Sequence, residues 1–152
     1  LPEYVLTGFP MAESLPDWAE KACLDMDDPL YETLGQIAQT HSIFLAGNAY
    51  ERDPNFPQLY FQTCFVIAPN GSVVLRYRRM ISLSTPSPFD VWDKYLDVYG
   101  EGAIFPVADT EIGVLGSIAS EEILYPEIAR MQAFKGAEIF CHPTSEVGAP
   151  TP

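Results

Sequence analysis

Apolar positions along this chain change period several times, and each change marks an element. In residues 28–40, Leu30, Leu34, Ile37 and Ala38 fall at i, i+4, i+7 and i+8, which predicts a helix opened by Asp28-Pro29. Residues 42–46 form a short apolar run that predicts a strand stopping at Gly47-Asn48. Two β-rich runs, residues 60–68 and 73–79, flank Pro69-Asn70-Gly71-Ser72, and Asn-Gly in that setting predicts a hairpin. Residues 112–119 are nearly all apolar, the pattern of a strand covered on both faces. Pro126 then opens a helix through Ile128, Met131 and Phe134 that stops at Gly136, and residues 137–142 read as another buried strand. Strand, helix and strand in that order form a βαβ-like unit, so the class is α/β with mixed sheets, the hairpin adding antiparallel pairs.

Between these elements, residues 82–106 are irregular and aromatic, with Phe89, Trp92, Tyr95 and Tyr99 in a stretch that predicts one short helix at 89–99. A connection this long in a compact domain is uncommon and often functional. The chain has no internal repeat, and its 14 prolines are scattered as punctuation. Its 152 residues suit one domain, and 47% hydrophobic content excludes wholesale disorder. Eight basic against 21 acidic residues, a net charge of −13, argue against a nucleic-acid or anionic-membrane partner. No apolar run reaches the roughly 20 residues of a membrane span. Cys23, Cys64 and Cys141 have neither disulfide nor zinc spacing, and read as buried thiols in a reducing, cytoplasmic setting.

Three positions offer chemistry. Glu3 lies in Leu-Pro-Glu-Tyr; taken alone, it reads as a solvated surface acid. Arg76, Arg78 and Arg79 cluster on one strand, and alone read as an exposed charged face. Ser120 ends the apolar run 112–119 just before a helix, where backbone amides at the turn are placed to stabilise a developing oxyanion; the alternative is a small capping residue.

In order along the chain, these segments resemble the nitrilase superfamily of carbon–nitrogen hydrolases. LPEYVLTGFP is similar to the segment of the family's catalytic glutamate, and Asn70-Gly71-Ser72 through Arg79 to the turn and strand leading to its catalytic lysine. Residues 113–122 with Tyr125-Pro126-Glu127-Ile128-Ala129-Arg130 resemble the nucleophile elbow and the helix after it, and Lys135 through Ile139 with His142-Pro143-Thr144 resemble the next strand. The resemblance implies an α-β-β-α sandwich in one domain over residues 1–152, with Glu3 as general base, Arg79 in the lysine position and Ser120 in the cysteine position. It implies a supporting glutamate in the long connection, with Asp90 and Glu101 both open candidates, and an acidic residue at Glu122 that fixes the elbow or pairs with a cation. It also implies hydrolysis of an amide, nitrile or carbamoyl carbon–nitrogen bond without cofactor or metal, and homo-oligomers formed through the helix bearing Arg130.

Two of three catalytic identities depart from that pattern. A divergent branch accounts for both Ser120 and Arg79, whereas an engineered Cys→Ser exchange accounts for the first alone. A serine hydroxyl is far less acidic than a thiol, whose pKa is about 8.5, so Glu3 alone is a weak activator for it. A catalytically silent relative, kept as a binding or assembly module, is therefore the alternative reading. A whole domain of this family is roughly twice as long, so the chain, ending at Ala149-Pro150-Thr151-Pro152, is expected to be an internal piece of a longer one.

Overall fold

A computed structural model describes residues 1–10, 12–82 and 85–145; the tail from Ala149 to Pro152 lies outside the described residues. The elements are α1 (Leu15–Ala22), β1 (Leu24–Asp25), α2 (Pro29–His41), β2 (Leu45–Arg52), β3 (Tyr60–Ile67) and β4 (Val73–Arg78). They continue with α3 (Trp92–Tyr99), β5 (Ala108–Thr110), β6 (Gly113–Ser117), α4 (Pro126–Phe134) and β7 (Ile139–Cys141), and short 3₁₀ turns span Pro88–Val91, Glu101–Ala103 and Ser120–Leu124.

Two mixed sheets result. In the first, of order β1-β2-β3-β4, only β1 and β2 run parallel; in the second, of order β5-β6-β7, β6 and β7 are the parallel pair. Val66 and Leu75 of the first sheet meet Ala108 and Leu115 of the second in one buried cluster, so the sheets pack face to face. Alternate residues point the other way: Phe65 and Ile67 join Tyr31, Leu34 and Ala38 of α2 on the first sheet's outer face. With α4 on the outer face of the second sheet, the layers run α-β-β-α.

Local chemistry explains the element ends. Asp28 caps α2 by accepting the Leu30 N–H at 2.9 Å, and Ser42 closes the helix in the left-handed region at φ 52°. That left-handed residue displaces the predicted strand at 42–46: β2 begins only at Leu45 and runs on through Gly47-Asn48 to Arg52. At Gly47 a side chain would collide with Phe65 and Leu1, so the glycine admits close packing and does not end the strand. The hairpin closes as Gly71 N–H donates to the Ala68 carbonyl at 2.8 Å with Gly71 at φ 85°, a tight turn followed by a left-handed glycine.

The charged-face reading of β4 fails. Arg78 and Arg79 are each only 4% exposed, because their partners come from elsewhere in the fold. The predicted strand at 137–142 shortens to Ile139–Cys141, with Ile139 exposed and the other two half-buried.

Helix α4 sits tight against β6. Fully buried Gln132 accepts the Ser117 N–H at 2.8 Å and donates to the Ser117 carbonyl at 2.5 Å, pairing a backbone unit that β6 leaves open. A side-chain carbon at Gly116 would collide with Gln132 Oε1. Gly116→Ala is expected to lower the unfolding free energy by about 1–3 kcal/mol in urea titrations, as over-packing of a fixed contact does. An unchanged midpoint would show that α4 can shift away freely.

Candidate active site

The site lies where β4 and β6 end side by side. Arg79 directly follows β4, and Ser120 opens the turn after β6. One carboxylate joins the two ends. Glu122, fully buried, accepts the Met80 N–H at 2.7 Å, the Ile81 N–H at 3.0 Å, the Ala119 N–H at 3.1 Å and the Tyr77 hydroxyl at 2.9 Å. Glu122 thus ties the residues just beyond β4 to the residue before Ser120. Burial pushes its pKa upward, against these donors, which favour the ionised form.

Glu3 is buried as well, not solvated. Its Oε1 accepts from Gln62 Nε2 at 2.7 Å, and its Oε2 accepts from the N–H and hydroxyl of Ser145 at 3.1 and 3.0 Å. The other end of the Gln62 amide faces Arg79, whose Nη1 donates to Gln62 Oε1 at 2.8 Å. Only one orientation of that amide works, since a carboxylate can only accept and a guanidinium can only donate. Arg79 Nε donates to the Ile81 carbonyl at 2.6 Å, and its Nη2 forms an ion pair with Glu121. Burial opposes ionisation of Glu121, but its own backbone N–H, the Ser120 hydroxyl and Arg79 prevail and hold its pKa below the usual carboxylate range.

A polar chain thus runs Glu3, Gln62, Arg79, Glu121, and Glu121 directly follows Ser120 in the sequence. The polar chain joins Glu3 to Arg79 through Gln62 and carries Arg79 on to Glu121, the neighbour of Ser120; sequence reasoning missed both Gln62 and Glu121. Gln62 did carry a signal, as a polar residue in an otherwise mostly apolar strand; Glu121 and Ser145 carried none. The turn itself is strained, with Ser120 at φ 47°. Its backbone is held by Ser120 N–H donating to the Pro143 carbonyl at 3.1 Å and by His142 Nε2 donating to the Ser120 carbonyl at 2.8 Å. The amides expected to await an oxyanion are therefore engaged: Ser120 N–H by Pro143, Glu122 N–H by the Ala119 carbonyl.

Asp90 and Glu101 do not join this network. Exposed Asp90 accepts the Ser87 N–H at 2.7 Å and caps a 3₁₀ turn. It also lines a cleft of about 670 Å³ with Phe89, Ile81 and Met80, one residue beyond Arg79. Exposed Glu101 opens the 3₁₀ turn that follows α3. Cys23 and Cys64 are buried free thiols, and Cys141 is half-buried. Burial raises all three pKa values, Cys23 to about 12, so none is a poised nucleophile. Among the described residues no group of side chains is arranged to hold a metal ion, and no helix is long and apolar enough to cross a membrane.

A family profile described as carbon-nitrogen hydrolase matches residues 1–152. The chain belongs to that family. It is 24% identical over 138 residues to "Probable nitrilase" of Schizosaccharomyces pombe, an alignment covering 91% of this chain and 46% of the relative. It is 26% identical over 140 residues to a formamidase of Helicobacter acinonychis, covering 91% and 38%. A carbon-nitrogen hydrolase structure from Helicobacter pylori superposes with a TM-score of 0.57 at 25% identity, covering 75% of this chain and 36% of that one. The chain thus spans less than half the length of these relatives.

Glu122→Ala would strand the backbone N–H groups of Met80, Ile81 and Ala119 and the Tyr77 hydroxyl. It should cost about 3–5 kcal/mol of unfolding free energy by urea titration; a loss under 1 kcal/mol would mean water replaces the carboxylate. The lowered pKa of Glu121 has a definite sign in stability. The folded state binds its proton less readily than the unfolded chain, so the contribution is full above the ordinary carboxylate range and disappears as pH falls through the lowered value. The stability difference between the parent and Glu121→Gln should therefore shrink between neutral pH and pH ~3. A pH-independent difference would show that the pair contributes through packing alone.

Proposed function

We propose that the chain carries the reactive centre of a hydrolase acting on an amide, nitrile or carbamoyl carbon–nitrogen bond, with Glu3 as base, Ser120 as nucleophile and Arg79 as the positive group. The observation that supports this best is the polar chain that links Glu3 to Arg79 through Gln62 and Arg79 to Glu121, the residue directly after Ser120. For an amide, Ser120 Oγ would add to the carbonyl carbon as its proton passes to Glu3, and the tetrahedral oxyanion would be held by Arg79. Collapse would break the C–N bond, the leaving amine taking the proton, and water would hydrolyse the resulting ester. The reading calls for no cofactor or metal, and for no nucleic-acid or membrane partner. The cleft beside Met80 and Ile81, lined by Phe89 and Asp90, is the proposed substrate approach.

We also propose that copies associate through the face of α4 and the turn before it, where Leu124 is 76% and Phe134 85% exposed. The three free thiols fit a reducing, cytoplasmic setting.

A second reading, a catalytically silent relative serving as a binding or assembly module, has its own observation. Both oxygens of Glu3 are occupied by Gln62 and Ser145, and the charge of Arg79 is answered by Glu121.

Steady-state hydrolysis of a panel of amides, nitriles and N-carbamoyl compounds by the full chain separates the two. On the hydrolase reading, Ser120→Ala lowers kcat by about 10³-fold or more, and Glu3→Gln by about 10²–10⁴-fold. If the parent is inactive throughout and Ser120→Cys with Arg79→Lys gains turnover, the silent reading stands.

A further inference from the structure

Glu121 takes no step in the proposed reaction, yet its carboxylate pairs with Arg79 Nη2 and its backbone directly follows Ser120. The rest of the guanidinium is committed too, Nη1 to Gln62 and Nε to the Ile81 carbonyl. Attack by Ser120 builds negative charge next to Ser120, and a fixed positive group lowers the barrier only if its charge is free to answer it. Here the positive end of a closed ion pair is turned toward a carboxylate carried by the residue next to Ser120. The turn offers little else, because the Ser120 and Glu122 amides are engaged. As a base, Glu121 is poorly matched: an ideal base titrates near the working pH, and its pairing shifts it the other way.

We propose that Glu121 is a positioning residue that restrains this site. It holds the Arg79 guanidinium in an ion pair and sets a carboxylate against any anionic tetrahedral species formed at Ser120. The proposal rests on the assignment of Ser120 and Arg79 above, and it implies that the pair must open before the site can hold a tetrahedral anion.

A simple alkylboronic acid tests this without turnover. Ser120 Oγ adds to trigonal boron and the hydroxyl proton is released to solvent, giving a tetrahedral boronate with one negative charge and no bond broken except O–H. Adduct formation is followed by ¹¹B NMR titration of the full chain. Glu121→Gln is expected to bind at least about tenfold more tightly than the parent, and Glu121→Ala, run alongside with circular dichroism, to do the same should the first variant misfold. Adding Arg79→Gln to Glu121→Gln should abolish the gain, which a purely structural role for Glu121 would not predict.

Equal or weaker binding by both Glu121 variants, a gain that survives loss of Arg79, or no Ser120-dependent adduct in any of the proteins would overturn the proposal. If the binding pattern holds while no variant turns over amides or nitriles, the hydrolase reading fails alone and the restraint stands.

Discussion

The architecture of the site depends on one buried carboxylate bridging the ends of two strands. A strand that stops inside a protein leaves backbone N–H groups without ladder partners, and leaving them unpaired there costs free energy. Glu122 accepts three of these, two beyond β4 in the first sheet and one beyond β6 in the second. Burying an acid is itself unfavourable, and the upward push on its pKa is the mark of that cost. The arrangement persists because each partner answers the other's need. Its geometric consequence is direct: Arg79 immediately precedes Met80 and Ser120 immediately follows Ala119, so the group that joins the sheets also sets how the two positions face each other.

The first sheet carries a second polar layer with similar logic. Arg76 and Arg78 point away from the sheet-to-sheet core and meet acids supplied by β2 and the residue just past it, Glu51 at 3.3 Å and Asp53 at 2.5 Å. Arg78 also lies over the rings of Phe61, Tyr95 and Tyr99, so its charge is met by a carboxylate and by three π faces. Tyr95 and Tyr99 belong to α3, which ties the long aromatic connection to β4. Buried pairs add little net stability over an apolar core but are intolerant of misplacement. A one-residue slip of β4 would turn both arginines into the inter-sheet core beside Leu75 and Tyr77.

What could be read from the sequence follows from how local each signal is. Helices α2 and α4 and the β3–β4 hairpin were legible because Asp28-Pro29, Pro126, Gly136 and Asn70-Gly71 act on their own neighbours. The extension of β2 was not, since Gly47 and Asn48 look like a stop. Their meaning lies in Leu1 and Phe65 packed against the glycine and in Asn48 Oδ1 accepting the Tyr4 N–H at 3.0 Å, contacts made by distant segments. The burial of Glu3, Arg78 and Arg79 escaped for the same reason, as period-two alternation reports a face but not the partner waiting there. At the site, resemblance picked out three positions, whereas Gln62 and Glu121, which connect them, became visible only once the strands were paired.

Positions 79 and 120, read from the sequence as departures from the family pattern, are linked through Glu121, which pairs with Arg79 and directly follows Ser120. An arginine at position 79 is not a lysine with a bulkier head: its planar fork serves the Ile81 carbonyl, Gln62 and Glu121 at once. A lysine ammonium is a compact point charge on a flexible stem, and could not meet three acceptors spread around a guanidinium plane. Returning position 79 to lysine with Glu121 in place would leave that carboxylate beside Ser120 with a less well-matched partner, while Gln62 would lose the donor that fixes its amide against Glu3. Arg79, Gln62 and Glu121 thus make up one interdependent set, and its carboxylate belongs to the residue next to Ser120.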